Sequence, residues 1–342
     1  MREVGVDEFI AALPKVELHV HLVGSASFET VLDLASRHPD AGVPTTRREL
    51  AEFYRFRDFE HFIRVYVAVN SLVRTSADVT RLVTGLATDL AAQRVRYAEV
   101  TVTVFSHLFA WLTDDEMLTG LTEGRAAARE QGVELAWCFD IPGGHPAVGD
   151  GMDTVRFGLV NRPEGLVSLG LGGIEVDRAR FTGAFAAARA AGLRSVPHAG
   201  ETTGPESIWT ALRELGAERI GHGISAVRDH ALIEHLAAEQ VPLELCPTSN
   251  LRTRQIAAIG AHPVRQLRDN GVLVTLNTDD PPMFGTDLNR EYRVVAESLE
   301  LDRAEVADLA RNAVTASFLD EPGKARILGE IDDVLAAHAD GP

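Results

Sequence analysis

Four side chains have the types and placement that a single transition metal ion requires. His19 and His21 alternate within a short β-rich segment, so on a strand their imidazoles point to the same face. His198 and Asp279 each end another apolar segment far along the chain. Three imidazoles and one carboxylate form a nitrogen-rich set that suits zinc and leaves a position open for water. We therefore predict a catalytic metal site with one zinc ion per chain and these four residues as ligands.

The segments that must position these ligands alternate with helical patterns along the whole chain. Eight β-rich segments are predicted as strands: Val16–Leu22, Val95–Val104, Glu134–Ile141, Leu166–Gly173, Leu193–Ala199, Arg219–Ile224, Val241–Cys246 and Val272–Asn277. Eight strands alternating with helices favour an α/β fold, a closed (β/α)8 TIM barrel, with extra helices after the first strand and at the C-terminus. Residues 38–60 are expected to be irregular. Residues 1–342 are expected to form one domain, with the site at the C-terminal ends of the strands.

Each ligand also has a simpler interpretation. His19, His21 and His198 could be structural histidines in the core. Asp279 and Asp280 could be a solvated pair of loop acids. Their coincidence at the predicted strand ends favours the metal site, because acids beside imidazoles at a barrel mouth are costly unless a cation offsets them.

A second metal ion is not expected. Binuclear hydrolases of this architecture usually bridge their ions with a modified lysine on the fourth strand. The lysines of this chain are Lys15 and Lys324, and neither lies at the end of the fourth strand.

Composition excludes several classes of partner. The 342 residues carry a formal net charge of -17, which argues against nucleic acid and anionic membranes as partners. The N-terminus has no apolar signal core, and no apolar run reaches membrane-spanning length. Cys138 and Cys246 form no CxxC motif, which fits a reducing compartment. A cytoplasmic enzyme acting on a small molecule is the expectation, and the sequence does not predict an oligomeric state.

Five short motifs, in this order along the chain, resemble those of the adenosine deaminase family of metal-dependent barrel hydrolases. They are Pro-Lys-Val-Glu-Leu-His-Val-His-Leu at 14–22, His-Ala-Gly-Glu at 198–201, Arg-Ile-Gly-His-Gly at 219–223, Leu-Cys-Pro-Thr-Ser-Asn at 245–250 and Leu-Asn-Thr-Asp-Asp-Pro at 276–281. Each motif is weak alone, but together they are specific. The other class of zinc deaminases, with His-x-Glu and Pro-Cys-x-x-Cys motifs, does not match.

The resemblance implies a reaction and a role for each further site residue. Zinc activates a water that attacks C6 of a purine, and His222 orients that water and takes or shares its proton. Glu201 corresponds to the catalytic acid that protonates N1. Asp280 corresponds to the residue that hydrogen-bonds N7, and Gly173 to the glycine whose N–H meets N3. Ammonia leaves and a 6-oxopurine remains. From their position alone, Ser249 and Asn250 are expected to brace the barrel mouth, with contact to the substrate as the alternative.

One position departs from the family pattern and bears on the substrate. Many adenosine deaminases have an acid two positions after the second histidine, where it meets the ribose 5′-hydroxyl, and this chain has Val23. Valine cannot accept that hydrogen bond, so Val23 is predicted to bind a substrate with an apolar 5′ extension, unless it merely packs. With Arg-Tyr-Ala-Glu-Val-Thr-Val-Thr at 96–103, this form resembles the actinobacterial branch of the family.

That branch converts 6-aminodeoxyfutalosine to futalosine and ammonia in menaquinone biosynthesis. Adenosine and other 5′-modified adenosines are the rival substrates, and adenine is less favoured because it would not need an apolar 5′ region. An aromatic segment at 53–66 could cover the pocket or simply pack. Arg55, Arg57 and Arg64 in that segment are candidates to bind the benzoate of the substrate.

Two other classes of function make different predictions. A non-catalytic barrel that binds a nucleoside or a protein would not need Glu201, His222 and a complete ligand set, all of which are present. A hydrolase of amides or phosphoesters would need two metals and a bridging lysine.

Overall fold

Eight parallel strands form one sheet in which neighbours follow the order of the chain. The computed structural model describes residues 2–338, so residue 1 and residues 339–342 of the predicted domain lie outside the described part. The strands are β1 Lys15–His21, β2 Val95–Val102, β3 Glu134–Pro142, β4 Leu166–Gly172, β5 Arg194–Ala199, β6 Ile220–His222, β7 Leu243–Leu245 and β8 Val274–Leu276. Each lies inside its predicted segment or within one residue of it. The predicted (β/α)8 barrel is confirmed.

The last strand returns to the first and closes the barrel through Asp279. The N–H of Asp279 donates to the carbonyl of His19 at 2.9 Å, and the N–H of His21 donates to the carbonyl of Asp279 at 2.8 Å. The backbone of Asp279 therefore lies between two predicted ligands, although nearly the whole chain separates it from them. Barrel closure itself places the acid beside the histidines.

Helices surround the sheet and extend the barrel at both predicted places. Those of the described residues are α1 Arg2–Ala12, α2 Phe28–Arg37, α3 Arg47–Phe53, α4 Phe59–Asn70, α5 Ser76–Ala92, α6 Val104–Ala110, α7 Asp114–Glu130, α8 Met152–Asn161, α9 Thr182–Ala190, α10 Pro205–Glu214, α11 His230–Ala238, α12 Pro247–Arg252, α13 Val264–Asp269, α14 Pro281–Phe284, α15 Leu288–Leu299, α16 Arg303–Ala316 and α17 Glu321–Ala337. The extra helices are α2–α5 after β1 and α14–α17 after β8. None within residues 2–338 is both long enough and apolar enough to cross a bilayer.

The expectation of an irregular stretch over residues 38–60 is wrong in part, because α3 lies within it. Thr46 caps this helix, and its hydroxyl accepts a hydrogen bond from the N–H of Glu49 at 3.3 Å. A threonine followed three residues later by glutamate is a known signal of a helix start. That signal is present in the sequence, and it outweighs the local prolines.

Candidate active site

The four predicted metal ligands come together at the C-terminal end of the barrel. His21 Nε2 lies 3.2 Å from His198 Nε2 and 3.3 Å from Asp279 Oδ1. His19 Nε2 lies 3.6 Å from the same oxygen and is buried with no hydrogen-bond partner among the described residues. A buried nitrogen without a partner is costly unless a ligand occupies the space in front of it. One donor atom each from His19, His198, His222 and Asp279 lie within 4.8 Å of one another, so His222 is part of the same cluster.

The protonation of this cluster fits a bound cation. Burial lowers the pKa of His21 to about 4 and that of His198 well below its usual value, so both rings present lone pairs. Burial alone would raise the pKa of Asp279, but the neighbouring imidazoles of His19, His21 and His222 hold it well below its usual range. Burial alone would lower the pKa of His19, but hydrogen bonds to Asp279 and Glu244 hold it well above its usual value. A metal ion in place of that proton would give neutral imidazoles around an ionised carboxylate, the donor set that zinc prefers.

A buried ion pair network orients the first ligand. Glu244 on β7 accepts a hydrogen bond from His19 Nδ1 at 2.9 Å, which leaves Nε2 free to face the cluster. The other oxygen of Glu244 accepts from Arg219 Nε at 2.6 Å, and Arg219 also pairs with Glu99. A carboxylate behind a ligating histidine fixes its tautomer and ring orientation. Sequence analysis missed Glu244, and the available signal was a single acid between two leucines of a buried strand.

Ser249 and Asn250 brace the mouth of the barrel as predicted. The hydroxyl of Ser249 donates to Asp279 Oδ2 at 2.6 Å, so that oxygen is held while Oδ1 faces the histidines. Asn250 contacts the ring of His222, with Nδ2 at 3.2 Å from Nδ1. Both residues lie in α12, the helix that follows β7.

A hydrogen-bond chain determines which nitrogen of His222 carries the proton. The N–H of Val264 donates to Nδ1 of His262 at 3.2 Å, so the Nε2–H of His262 donates to Asn250 Oδ1 at 3.2 Å. The amide nitrogen of Asn250 must then donate to His222 Nδ1. Because burial lowers the pKa of His222 to about 4, the ring is neutral and its proton lies on Nε2. That N–H faces the site, 3.7 Å from Glu201 Oε2 and 3.8 Å from Asp279 Oδ2. In this tautomer Nε2 can orient a water by donating to its oxygen but cannot take its proton, so the hydrogen-bond chain supports the orienting part of the predicted role of His222 and not the proton-accepting part.

Glu201 is a buried acid beside the cluster. It follows β5 and is 7% exposed. Burial raises its pKa well above the usual value, and the negative charges of Asp279 and Glu175 raise it further. A carboxyl group whose pKa is raised in this way is suited to hold a proton and donate it.

Asp280 and Gly24 meet in a close contact that only glycine permits. A Cβ atom on Gly24 would lie 1.5 Å from Asp280 Oδ1. Burial and the adjacent charge of Asp279 raise the pKa of Asp280 well above its usual value. A protonated Asp280 is a hydrogen-bond donor, which a purine N7 requires.

Gly173 follows β4 with a φ of 74°, a conformation that favours glycine, and it lines the cavity beside the cluster.

The cavity has a volume of about 400 Å³. It is lined by seven of the predicted site residues: His21, Gly173, His198, Glu201, His222, Asp279 and Asp280. Helix α4 supplies an apolar wall consisting of Phe59, Phe62, Ile63, Tyr66 and Val67. Val67 is 58% exposed and Ile174 on the opposite loop is 42% exposed, so apolar side chains also form its mouth. The segment 53–66 thus contributes to the pocket as well as packing.

Asp140 on β3 also lines this cavity and was not predicted. It is 2% exposed, and its Oδ1 has no hydrogen-bond partner among the described residues. Burial raises its pKa to about 7. The signal in the sequence was an acid at the end of a predicted strand, as for Asp279.

Val23 and the three candidate arginines do not lie where the substrate prediction needs them. Val23 is buried and is not among the described residues that line the cavity, so its position supports the packing alternative. Arg55, Arg57 and Arg64 are exposed and do not contribute to the lining either. The apolar lining of the cavity therefore comes from α4 and not from Val23.

The chain is similar to known proteins in both sequence and fold. The chain is 53% identical over 334 residues to an aminodeoxyfutalosine deaminase of Streptomyces avermitilis, covering 96% of this chain and 93% of that protein. An adenine deaminase structure from Arthrobacter aurescens superposes with a TM-score of 0.87 at 30% identity, covering 95% of this chain and 99% of the other. An amidohydrolase structure from Burkholderia ambifaria with bound Zn has a TM-score of 0.87 at 25% identity, covering 98% and 95% of the two chains.

The sequence pattern of one family spans nearly the whole barrel. It matches residues 14–334, which include every predicted site residue from His19 to Asp280. The chain therefore belongs to the adenosine deaminase family.

Proposed function

We propose that residues 1–342 form one catalytic domain that hydrolytically deaminates C6 of an adenine nucleoside, with 6-aminodeoxyfutalosine as substrate and futalosine and ammonia as products. The observation that carries the proposal is the buried carboxyl group of Glu201, which lies beside a cluster of three histidines and an aspartate and lines a cavity of about 400 Å³. An acid next to a metal-ligand set is what addition of water across a ring C=N bond needs.

The cofactor of this reaction is zinc. His19, His21, His198 and Asp279 would hold it, and when bound it would lower the pKa of a water into the neutral range. The unpartnered Nε2 of His19 supports the ligand assignment, as does the zinc bound in the Burkholderia neighbour.

The residues around the ligands position the water and the purine. His222 donates its Nε2–H to the oxygen of the attacking water and so directs a lone pair at C6. The water gives one proton to the solvent and its second proton to the 6-amino group, which leaves as ammonia, and Glu201 regains a proton from the solvent. Protonated Glu201 donates to N1, which must gain a proton as electrons leave the C6–N1 bond. Protonated Asp280 donates to N7, and the backbone N–H of Gly173 donates to N3. The protein thus donates a hydrogen bond to each of the ring nitrogens N1, N3 and N7, a pattern that distinguishes a 6-aminopurine from a pyrimidine.

The walls of the cavity favour a substrate larger than adenine. The base alone would leave the cavity faces of Phe59, Ile63, Val67 and Ile174 uncovered, whereas the aryl group at the 5′ end of the larger substrate would cover them. The name of the 53% identical relative supports this choice. Adenosine and other 5′-modified adenosines are the second candidates, because the purine contacts do not depend on the 5′ group.

Replacement of the acid tests the mechanism. Glu201→Gln should retain zinc and lower kcat by about 10²–10⁴ because glutamine cannot transfer a proton to N1. Glu206→Gln is the matched control, because it makes the same substitution at an exposed glutamate five residues further along the chain, in α10. Ammonia release and metal content are measured for both variants. Activity of Glu201→Gln within about tenfold of the unaltered protein contradicts the role of Glu201 as proton donor.

A further inference from the structure

The loop that carries Glu201 is anchored by one buried carboxylate on the neighbouring loop. The side chain of Glu175, which follows β4, is 1% exposed. Three successive backbone N–H groups donate to it: those of Gly200 at 2.9 Å, Glu201 at 2.8 Å and Thr202 at 2.7 Å. The hydroxyl of Thr203 donates to the same carboxylate. Four consecutive residues after β5 are thus held by a single side chain.

A buried arginine allows this carboxylate to remain ionised. Arg178 Nη2 lies 3.6 Å from Glu175 Oε2, and its side chain is 1% exposed. Nε, Nη1 and Nη2 of Arg178 make no hydrogen bond to any of the described residues. Burial alone would raise the pKa of Glu175, but Arg178, Thr203 and the backbone N–H groups hold it below its usual value. An ionised acceptor gives each of these hydrogen bonds about twice the strength of a neutral one.

We propose that Glu175 is a positioning residue for deamination, which fixes the 200–203 loop so that the carboxyl group of Glu201 meets N1 of the purine. This inference rests on the proposed function and extends it to a residue that need not touch the substrate. Glu175 lies two residues after Gly173, so the same side chain ties the loop that meets N3 to the loop that protonates N1. A misplacement of about 1 Å at a catalytic group costs about 10² in rate, so such an anchor matters for turnover.

The variant Glu175→Gln tests this role with little change in volume. A glutamine has one oxygen, so its –NH2 group must face either the N–H of Gly200 or those of Glu201 and Thr202. We expect kcat to fall about 10–100-fold with zinc content unchanged and KM altered less than about threefold. Glu206→Gln, the same substitution on an exposed side chain nearby, should leave kcat unchanged.

A double-mutant cycle separates positioning from general stability. If Glu175 acts through Glu201, adding Glu175→Gln to Glu201→Gln should change the residual kcat by less than about threefold. Equal fold losses in both backgrounds would overturn the proposal, as would an unchanged kcat in the single variant. Thr203→Val is the milder variant should Glu175→Gln fail to fold, with a kcat loss of about 3–10-fold that likewise disappears in the Glu201→Gln background. Full activity of the Glu201→Gln variant would contradict the proposed function, because it would show that Glu201 is not the proton donor. Equal fold losses in the two backgrounds would instead contradict only the positioning role of Glu175.

Discussion

Glu244→Gln should weaken zinc binding although Glu244 is not itself one of the proposed metal ligands. Glu244 accepts from His19 Nδ1 at 2.9 Å and from Arg219 Nε at 2.6 Å. Both contacts need an acceptor, and glutamine offers one oxygen, so it can satisfy only one of them. If the oxygen stays with the buried Arg219, the –NH2 group donates to His19 Nδ1 and moves the proton of His19 to Nε2, the atom that faces the metal.

The size of the effect follows from the contact that is lost. A buried hydrogen bond to a charged group is worth about 1.5–3 kcal/mol. At about 1.4 kcal/mol for each tenfold change, zinc affinity should fall about 10–100-fold, the range typical of partners behind metal ligands. The fold should persist, because Arg219 keeps Glu99 and the carbonyl of Ala316 as partners.

A competition titration against a zinc chelator at neutral pH measures this affinity directly. The matched control is Glu234→Gln, which breaks an exposed pair of the same type, 3.3 Å from His230. Exposed pairs contribute about 0–1 kcal/mol, and this one lies away from the site, so zinc affinity should not change. A Glu244→Gln variant that binds zinc within about threefold of the unaltered protein would refute the argument that Glu244 sets the tautomer of His19.

Three further substitutions test other contacts of the site. Asp279→Ala should lose zinc and activity together, and zinc retained after dialysis would reject Asp279 as a ligand. Asn250→Asp should place the proton of His222 on Nδ1 instead of Nε2 and lower kcat by about 10²; ¹⁵N NMR of the imidazole reports the tautomer, and an unmoved proton would contradict the hydrogen-bond chain. Gly24→Ala should displace Asp280, because its new Cβ would lie 1.5 Å from Oδ1. We expect kcat/KM to fall about 10–100-fold at constant zinc content, and an unchanged kcat/KM would argue against a role for Asp280 in binding the purine.

The sequence was sufficient for the barrel and for the residues at the ends of its strands. Strand alternation already places His19 and His21 on one face, and parallel strands bring their C-terminal ends to one edge. The contact between Asp279 and these histidines then follows from closure of β8 onto β1.

The residues that orient the site could not be predicted in the same way. Glu244 lies 225 positions from His19, and no local pattern links the two. Glu175 and Asp140 are acids near strand ends, and only the packed structure shows which donors surround them. Val23 illustrates another limit: its offset along the sequence does not give the direction of a side chain in the turn after β1, and its burial away from the cavity lining favours the packing alternative.

The most direct test of the central claim compares ammonia release from 6-aminodeoxyfutalosine and from adenosine by the zinc-loaded protein under identical conditions. Because the apolar wall of α4 would contact the aryl group and adenosine would leave it uncovered, we expect kcat/KM to be at least about 100-fold higher for 6-aminodeoxyfutalosine. Equal or faster deamination of adenosine would contradict the substrate assignment while leaving the metal site and the roles of Glu201 and His222 intact. If neither substrate releases ammonia, the proposed deaminase activity itself is contradicted.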